Sequence, residues 1–256
     1  MYEAVMIAAT GLKNQQRRID TIANNVANVN SAAYKSARLD FKDALYTAGI
    51  LPALPRTPEP DGNQQQGHGV MVAGISKDYR MGAAQTTERQ LDFFIEGEGF
   101  FELQDVNGDI VYTRNGSFDF DDLGYLVNAD GAFVLDSDGQ VISAPPGTDS
   151  FSLSLDGRIC FDVDGEEVAV ELGVYTFRNL TGLLSVGNGN YGESPASGEK
   201  MRADGAKLRQ GVLEISNVSL AEEMTRLIRT QRAFQLSSRA LTTADEMEGI
   251  ANNMRR

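Results

Sequence analysis

The chain has 256 residues, 23 of them basic and 36 acidic, for a formal net charge of −13. That balance opposes nucleic acid and anionic lipid, both of which need a basic face, and no apolar run of about 18 residues is present to span a bilayer. A single cysteine, Cys160, and a single histidine, His68, exclude an intrachain disulfide, a thiolate metal cage and any mechanism using two imidazoles.

The chain begins MYEAVMIAATGLKNQQRR, with an acid at Glu3 and its bases after the apolar residues. A cleaved secretory signal has the opposite order. The expectation is a protein that stays in the cytoplasm or leaves by a route that spares its N-terminus.

Val5, Leu12, Ile19 and Val26 recur every seven residues, with Ala8, Ile22 and Val29 beside them. Such a stripe predicts one long helix apolar on a single face. Asn24, Asn25, Asn28 and Asn30 crowd its end. Asn28 or Asn30 would terminate the helix, since Asn tolerates a left-handed cap. Asn24 or Asn25 would face a neighbour and set register, as a buried Asn does in coiled coils.

Residues 46–89 follow as an extended connector, marked by Pro52, Pro55, Pro58 and Pro60, then Gly62, Gly67 and Gly69. Residues 90–180 then read as an antiparallel β domain. Turn pairs fall at Asn107-Gly108, Asn115-Gly116, Asp130-Gly131, Asp138-Gly139, Asp156-Gly157 and Asp164-Gly165, with Gly124 in the gap between the second and third. The runs between them are short and rich in β-formers, the pattern of successive hairpins. Residues 181–211 look irregular.

The last segment returns to helical period. Leu220, Leu227, Phe234 and Leu241 are seven apart, with Met224 and Ile228 near the same face. Gly249 is the only helix-breaking residue between Asn217 and Met254, and Ser219 with Glu222 can cap the start. At about 1.5 Å per residue the two helices would be about 40 and 55 Å long. The fold class is therefore α+β: long N- and C-terminal helices pairing as a helical stalk, 1–45 with 212–256, around a central β domain. Charge follows the same division. The segments 1–45 and 214–256 carry +2 and 0, leaving −15 on the middle.

Chemical motifs have plainer readings. Gly187–Gly192 fits G-x-G-x-x-G but opens no helix, as dinucleotide binding requires. Asp105–Asp109 resembles the start of a calcium loop, yet its twelfth position is Gly116 instead of a bidentate Glu. Asp121 and Asp122 make a solvated turn, and Cys160, on a strand, reads as a small core residue. No catalytic, metal-binding or cofactor-binding set emerges.

Two helices alone form a thin layer that leaves much of each apolar face open. An intermolecular assembly interface is therefore expected over Val5, Leu12, Ile19, Ile22, Asn24, Asn25, Val26, Asn28, Leu220, Met224, Leu227, Ile228, Phe234 and Leu241.

Three segments carry a family resemblance. AATGLKNQQRRIDTIANNVANVNSAAYKSARLDFKDALY resembles the N-terminal signature of flagellar basal-body rod and hook proteins. LDFFIEGEGFFEL with YTRNGSFDFDDLGYLVN is similar to their central region, and QGVLEISNVSLAEEMTRLIRTQRAFQLSSRALTTADEM to their C-terminal signature. The turn after the asparagines, often built on Gly in that family, here reads Ser31-Ala32-Ala33. The resemblance implies type III export without cleavage, contact with the export machinery, and polymerisation with itself and with other rod and hook subunits in a shaft across the cell envelope. It implies no catalysis and no cofactor. The rival reading is a secreted carbohydrate-binding or adhesive β module on a coiled-coil stalk.

Overall fold

Strong helix formers without a proline, running from Tyr2, make α1, Tyr2–Ala27. In the computed structural model, residues 2–44, 46–48, 65–67, 69–145, 148–154, 158–163, 166–203 and 205–254 are described. The four prolines of the connector, His68 and the turns at Asp156-Gly157 and Asp164-Gly165 lie outside them. The fold is α+β, and its contacts divide it into two units.

The first unit comprises Met1–Ala27, Ala37–Ser76 and Ser219–Arg256. It holds α1, the strands β1 (Ala37–Asp43), β2 (Tyr46–Ala48), β3 (Gln65–Gly67) and β4 (Val70–Lys77), and α2 (Leu220–Asn253). β1 pairs with β4 and β2 with β3, so part of the expected connector is strand. β2 and β3, of three residues each, are too short to show a period, and the eight residues of β4 do not alternate. α1 packs against α2. At about 1.5 Å per residue, their 26 and 34 residues are about 39 and 51 Å long. α2 starts at Leu220, directly after the expected cap position Ser219, with the Ser219 carbonyl accepting the Glu223 N–H and Glu222 and Glu223 in its first turn. Acids there face the positive end of the helix dipole.

The second unit comprises Asn28–Ser36 and Lys77–Val218. Its strands run β5 (Ala84–Thr86), β6 (Phe93–Glu96), β7 (Phe100–Gln104), β8 (Ile110–Thr113), β9 (Phe118–Phe120), β10 (Leu126–Asn128), β11 (Phe133–Val134), β12 (Thr148–Leu153), β13 (Arg158–Val163), β14 (Glu166–Glu171), β15 (Val174–Phe177), β16 (Leu184–Gly187), β17 (Asn190–Gly192), β18 (Lys200–Arg202), β19 (Lys207–Gln210) and β20 (Val212–Glu214). A nine-stranded antiparallel sheet has the order β16-β17-β8-β7-β11-β10-β9, with β15 on β7 and β18 on β15. β12-β13-β14 form a meander, and β6 pairs with β19 and β5 with β20. The expected irregular stretch 181–211 thus carries four strands. They are three or four residues long, too short to show a period.

β7 explains why FFEL does not alternate. Phe101 and Leu103 enter a core with Phe93, Ile95, Phe118, Leu126, Val134, Ile159 and Phe161. Phe100, on the opposite face, joins Tyr112, Phe177, Leu183 and Tyr191. A strand buried on both faces reads as a continuous apolar run. The second cluster is aromatic, with Tyr112 and Phe177 edge-to-face at 4.8 Å and Phe100 and Tyr191 at 5.6 Å. Glu102, also on that face, accepts Lys200 Nζ at 2.5 Å and the Tyr112 hydroxyl. Burial holds the Tyr112 and Tyr191 hydroxyls well above the usual tyrosine range, while Tyr79 beside them rises to about 12.

Most expected turns form. Gly108, Gly124, Gly131 and Gly139 take positive φ in tight turns. Asp121 Oδ1 accepts the Leu123 and Tyr125 N–H groups, and Asp105–Asp109 closes the β7–β8 hairpin. Gly187–Gly189 turns β16 into β17. Asn115-Gly116 is the exception. β8 and β9 do not pair there, and Gly116 lies so close to the backbone that a Cβ would stand 1.8 Å from the Phe93 carbonyl oxygen. Cys160 is half-buried instead of core, because its strand neighbours Ile159 and Phe161 take the inward face.

Beyond the core, the second unit holds a buried ionic cluster. Glu214 Oε1 accepts Lys35 Nζ at 2.5 Å and the Gly82 N–H at 2.7 Å, and Oε2 accepts Arg114 Nε at 2.6 Å. Lys35 Nζ also donates to the Arg80 carbonyl. The rest of the Arg114 guanidinium donates to the carbonyls of Ile95, Gly97 and Gly99. Burial pushes the Glu214 carboxyl up, but Arg114, Lys35 and the Gly82 amide outweigh it and hold the group below its ordinary range. Burial lowers Lys35 against the pull of Glu214.

Candidate assembly interface

The residues of α1 separate into two rows. Val5, Leu12, Ile19 and Val26, the expected seam, are only half-buried. The most buried row is Asn14, Ile22 and Asn25, at 7%, 4% and 1% exposure. Their spacings of eight and three place them on one face. Asn14 Nδ2 donates to the Val70 carbonyl at 2.5 Å. Asn25 makes a reciprocal pair with Ala37, donating to its carbonyl at 2.8 Å and accepting its N–H at 2.9 Å. The two amides therefore satisfy backbone groups of β4 and β1. The expected neighbour-facing role does not fit Asn25, because its amide is engaged inside the chain. Asn24 is exposed.

The helix stops at Ala27, and the Asn28 carbonyl accepts the Ser31 N–H. The Ser31-Ala32-Ala33 departure makes the turn without glycine. Ala33 takes φ +54°, an L-residue in left-handed space, and its N–H bonds the Glu214 carbonyl at 2.7 Å.

α2 divides more sharply. Leu227, Phe234 and Leu241 are half-buried, on a row completed by Glu223 and Thr230, which are buried, and by Ser237 and Ala244. Small and polar side chains at seven-residue spacing belong to this inward face, and an apolar period search passes over them. Leu220, Met224 and Ile228 do not lie in it: they are 47%, 43% and 53% exposed. Leu236, Met247, Ile250 and Met254 are at least 60% exposed. At about 3.6 residues per turn, Ile228, Leu236 and Ile250 fall on the face turned away from Thr230 and Phe234. Glu223 pairs with Arg226 through Oε1 at 2.6 Å, while its second carboxylate oxygen is buried without a hydrogen-bond partner.

Beside α1 a groove of about 460 Å³ is lined by Arg17, Asp20, Thr21 and Asn24 and by Leu39, Val72 and Ile75 of β1 and β4. Ile75 and Met71 are 64% and 51% exposed. The first unit thus keeps one packed seam and presents two open apolar surfaces. Among the described residues no helix is long and apolar enough to cross a membrane, and no group of three metal-ligating side chains occurs.

Three family models match the chain: the flagella basal body rod protein over residues 6–35, the flagellar hook protein FlgE/F/G D1 domain over 94–161, and the flagellar basal body rod FlgEFG protein C-terminal over 209–254. Flagellar basal-body rod protein FlgG of Borreliella burgdorferi is 38% identical over 270 aligned residues, and that of Bacillus subtilis 36% over 265, each covering 100% of both chains. The chain belongs to the flagellar basal-body rod protein family. The flagellar hook-basal body complex protein FlhP of Bacillus subtilis is 30% identical over 274 residues, again across both full lengths. The three matched segments overlap the three read as family signatures in the sequence, and α1 and α2 lie largely in the first and last of them.

Proposed function

We propose that this chain is a structural subunit of the bacterial flagellar basal-body rod, of the distal-rod type, and that it catalyses no reaction. Copies polymerise head to tail through their terminal helices into a hollow shaft that transmits torque. An interface that does not close into a ring generates a helical filament. The helix pair acts as the stalk, and the chain reaches the basal body unfolded through the flagellar export machinery, there to meet other rod and hook subunits.

One observation carries the reading: a chain similar to rod proteins over its whole length has an α2 that exposes Ile228, Leu236 and Ile250 on its outward face while its inward row packs within the chain. Water-exposed apolar area of that kind is stabilised by burial at roughly 25 cal/mol per Å². The near-neutral ends allow copies to approach. The acidic middle discourages lateral sticking of sheet edges. Electron microscopy of concentrated protein tests this. Tubes of uniform diameter are expected, and closed oligomers or a monomer at every concentration would refute it.

A further inference from the structure

The groove beside α1 and the outward face of α2 belong to the assembly surface already proposed. The ionic cluster around Glu214 does not, and polymerisation leaves it unexplained. Its three charged side chains are almost completely enclosed, with exposures of 0% for Lys35, 4% for Arg114 and 1% for Glu214. They come from places far apart in the chain, Lys35 and Glu214 being 179 residues apart. One falls in each of the three segments that match family models: Lys35 in 6–35, Arg114 in 94–161 and Glu214 in 209–254.

We propose that Lys35, Arg114 and Glu214 form a clasp that makes the two stretches through which the chain continues into its terminal helices, Asn28–Ser36 and Val212–Val218, integral parts of the β unit. Neither stretch can detach alone. Lifting Asn28–Ser36 away removes Lys35 and strips Glu214 and the Arg80 carbonyl of a charged donor. Lifting Val212–Val218 away leaves Lys35 and Arg114 as two buried cations with no anion between them. Breaking a buried pair on one side only is strongly unfavourable.

Backbone bonds fasten the same stretches to each other and to residues 78–83. The Ala33 N–H donates to the Glu214 carbonyl, the Ser36 N–H to Asn217 Oδ1, the Asp78 N–H to the Ser36 carbonyl, and the Ile215 N–H to the Ala83 carbonyl. Asn217 Nδ2 donates to the Asp78 carbonyl. Gly82 permits this closeness, since a Cβ there would stand 2.0 Å from the Ile215 carbonyl oxygen. With these donors and acceptors shared among three segments and Arg114, opening is all-or-none.

Native-state hydrogen exchange with mass spectrometry on the full chain, at rising urea, tests the clasp. In the unsubstituted protein, amides of 28–36 and 212–218 should open with the same free energy as those of β7. Lys35→Met and Glu214→Gln should each lower protection in both stretches by one common factor of about 100 or more. Exchange of 28–36 well ahead of β7 in the unsubstituted protein would overturn the proposal, and this result needs no variant to fold. So would Lys35→Met loosening 28–36 while 212–218 keeps its protection.

Discussion

The helical unit and the β unit use similar side chains to opposite ends. In the β unit five phenylalanines turn inward: Phe93, Phe100, Phe101, Phe118 and Phe161 are each at most 1% exposed. In the helical unit Ile22 and Leu39 are buried, while Ile75, Ile228, Leu236 and Ile250 are more than half exposed. A sheet with both faces covered can finish its core inside one chain. A pair of helices covers one side of each partner and leaves the other side exposed. Stability of the β unit and the proposed assembly through the helical unit should therefore be separable by single substitutions.

The largest effect is expected in the β unit. Phe101→Ala should cost about 3–5 kcal/mol through lost burial and a cavity, measured by urea denaturation followed by tyrosine fluorescence in a chain without tryptophan. A loss of that size from truncating half-buried Leu241 would erase the contrast between the units. Next comes the helical unit's own anchor. Asn25→Ala leaves the Ala37 N–H and carbonyl without their partners, and about 1–3 kcal/mol should go from the helical transition. Circular dichroism at 222 nm reads it.

Acid should reveal the clasp. The folded Glu214 is held below the ordinary value of 4.5. The unfolded chain therefore binds more protons as pH falls through that value, and Glu214's contribution, complete at neutral pH, is lost on the way down to its folded pKa. Glu214→Gln should flatten the slope of β-unit stability against pH below 4.5, and an unchanged slope would remove Glu214 as its source. The smallest effect on folding and the sharpest on assembly should come from neighbouring residues of α2. Ile228→Asp, on the outward face, should shift stability by within about 0.5 kcal/mol and still abolish tubes. Leu227→Asp, on the inward row, should loosen the helix pair as well. Normal tubes from Ile228→Asp would break the distinction between the two faces.

Periodicity made both helices legible, because three or more heptads of apolar residues have no other simple geometry. The hairpins were legible where Gly must take positive φ, at Gly108, Gly124, Gly131 and Gly139. The same rule misread Gly116. There glycine serves close backbone approach to Phe93, and the letters do not separate the two uses. Strands of three or four residues between 181 and 211 carried no pattern. The inward row of α2 was half missed because Glu223 and Thr230 are polar, and the buried row of α1 because Asn14 and Asn25 are.

Local chemistry along the chain was enough to determine the two terminal helices, the acidic turn-rich centre and the family signatures, since period, charge and turn residues act over a few neighbours. Which helix face is already occupied, that Asn25 serves Ala37, and that Lys35, Arg114 and Glu214 meet were decided only in three dimensions. A buried charge or amide is stable only where a complementary group arrives, and that group lies tens to hundreds of residues away, beyond the reach of any sequence period.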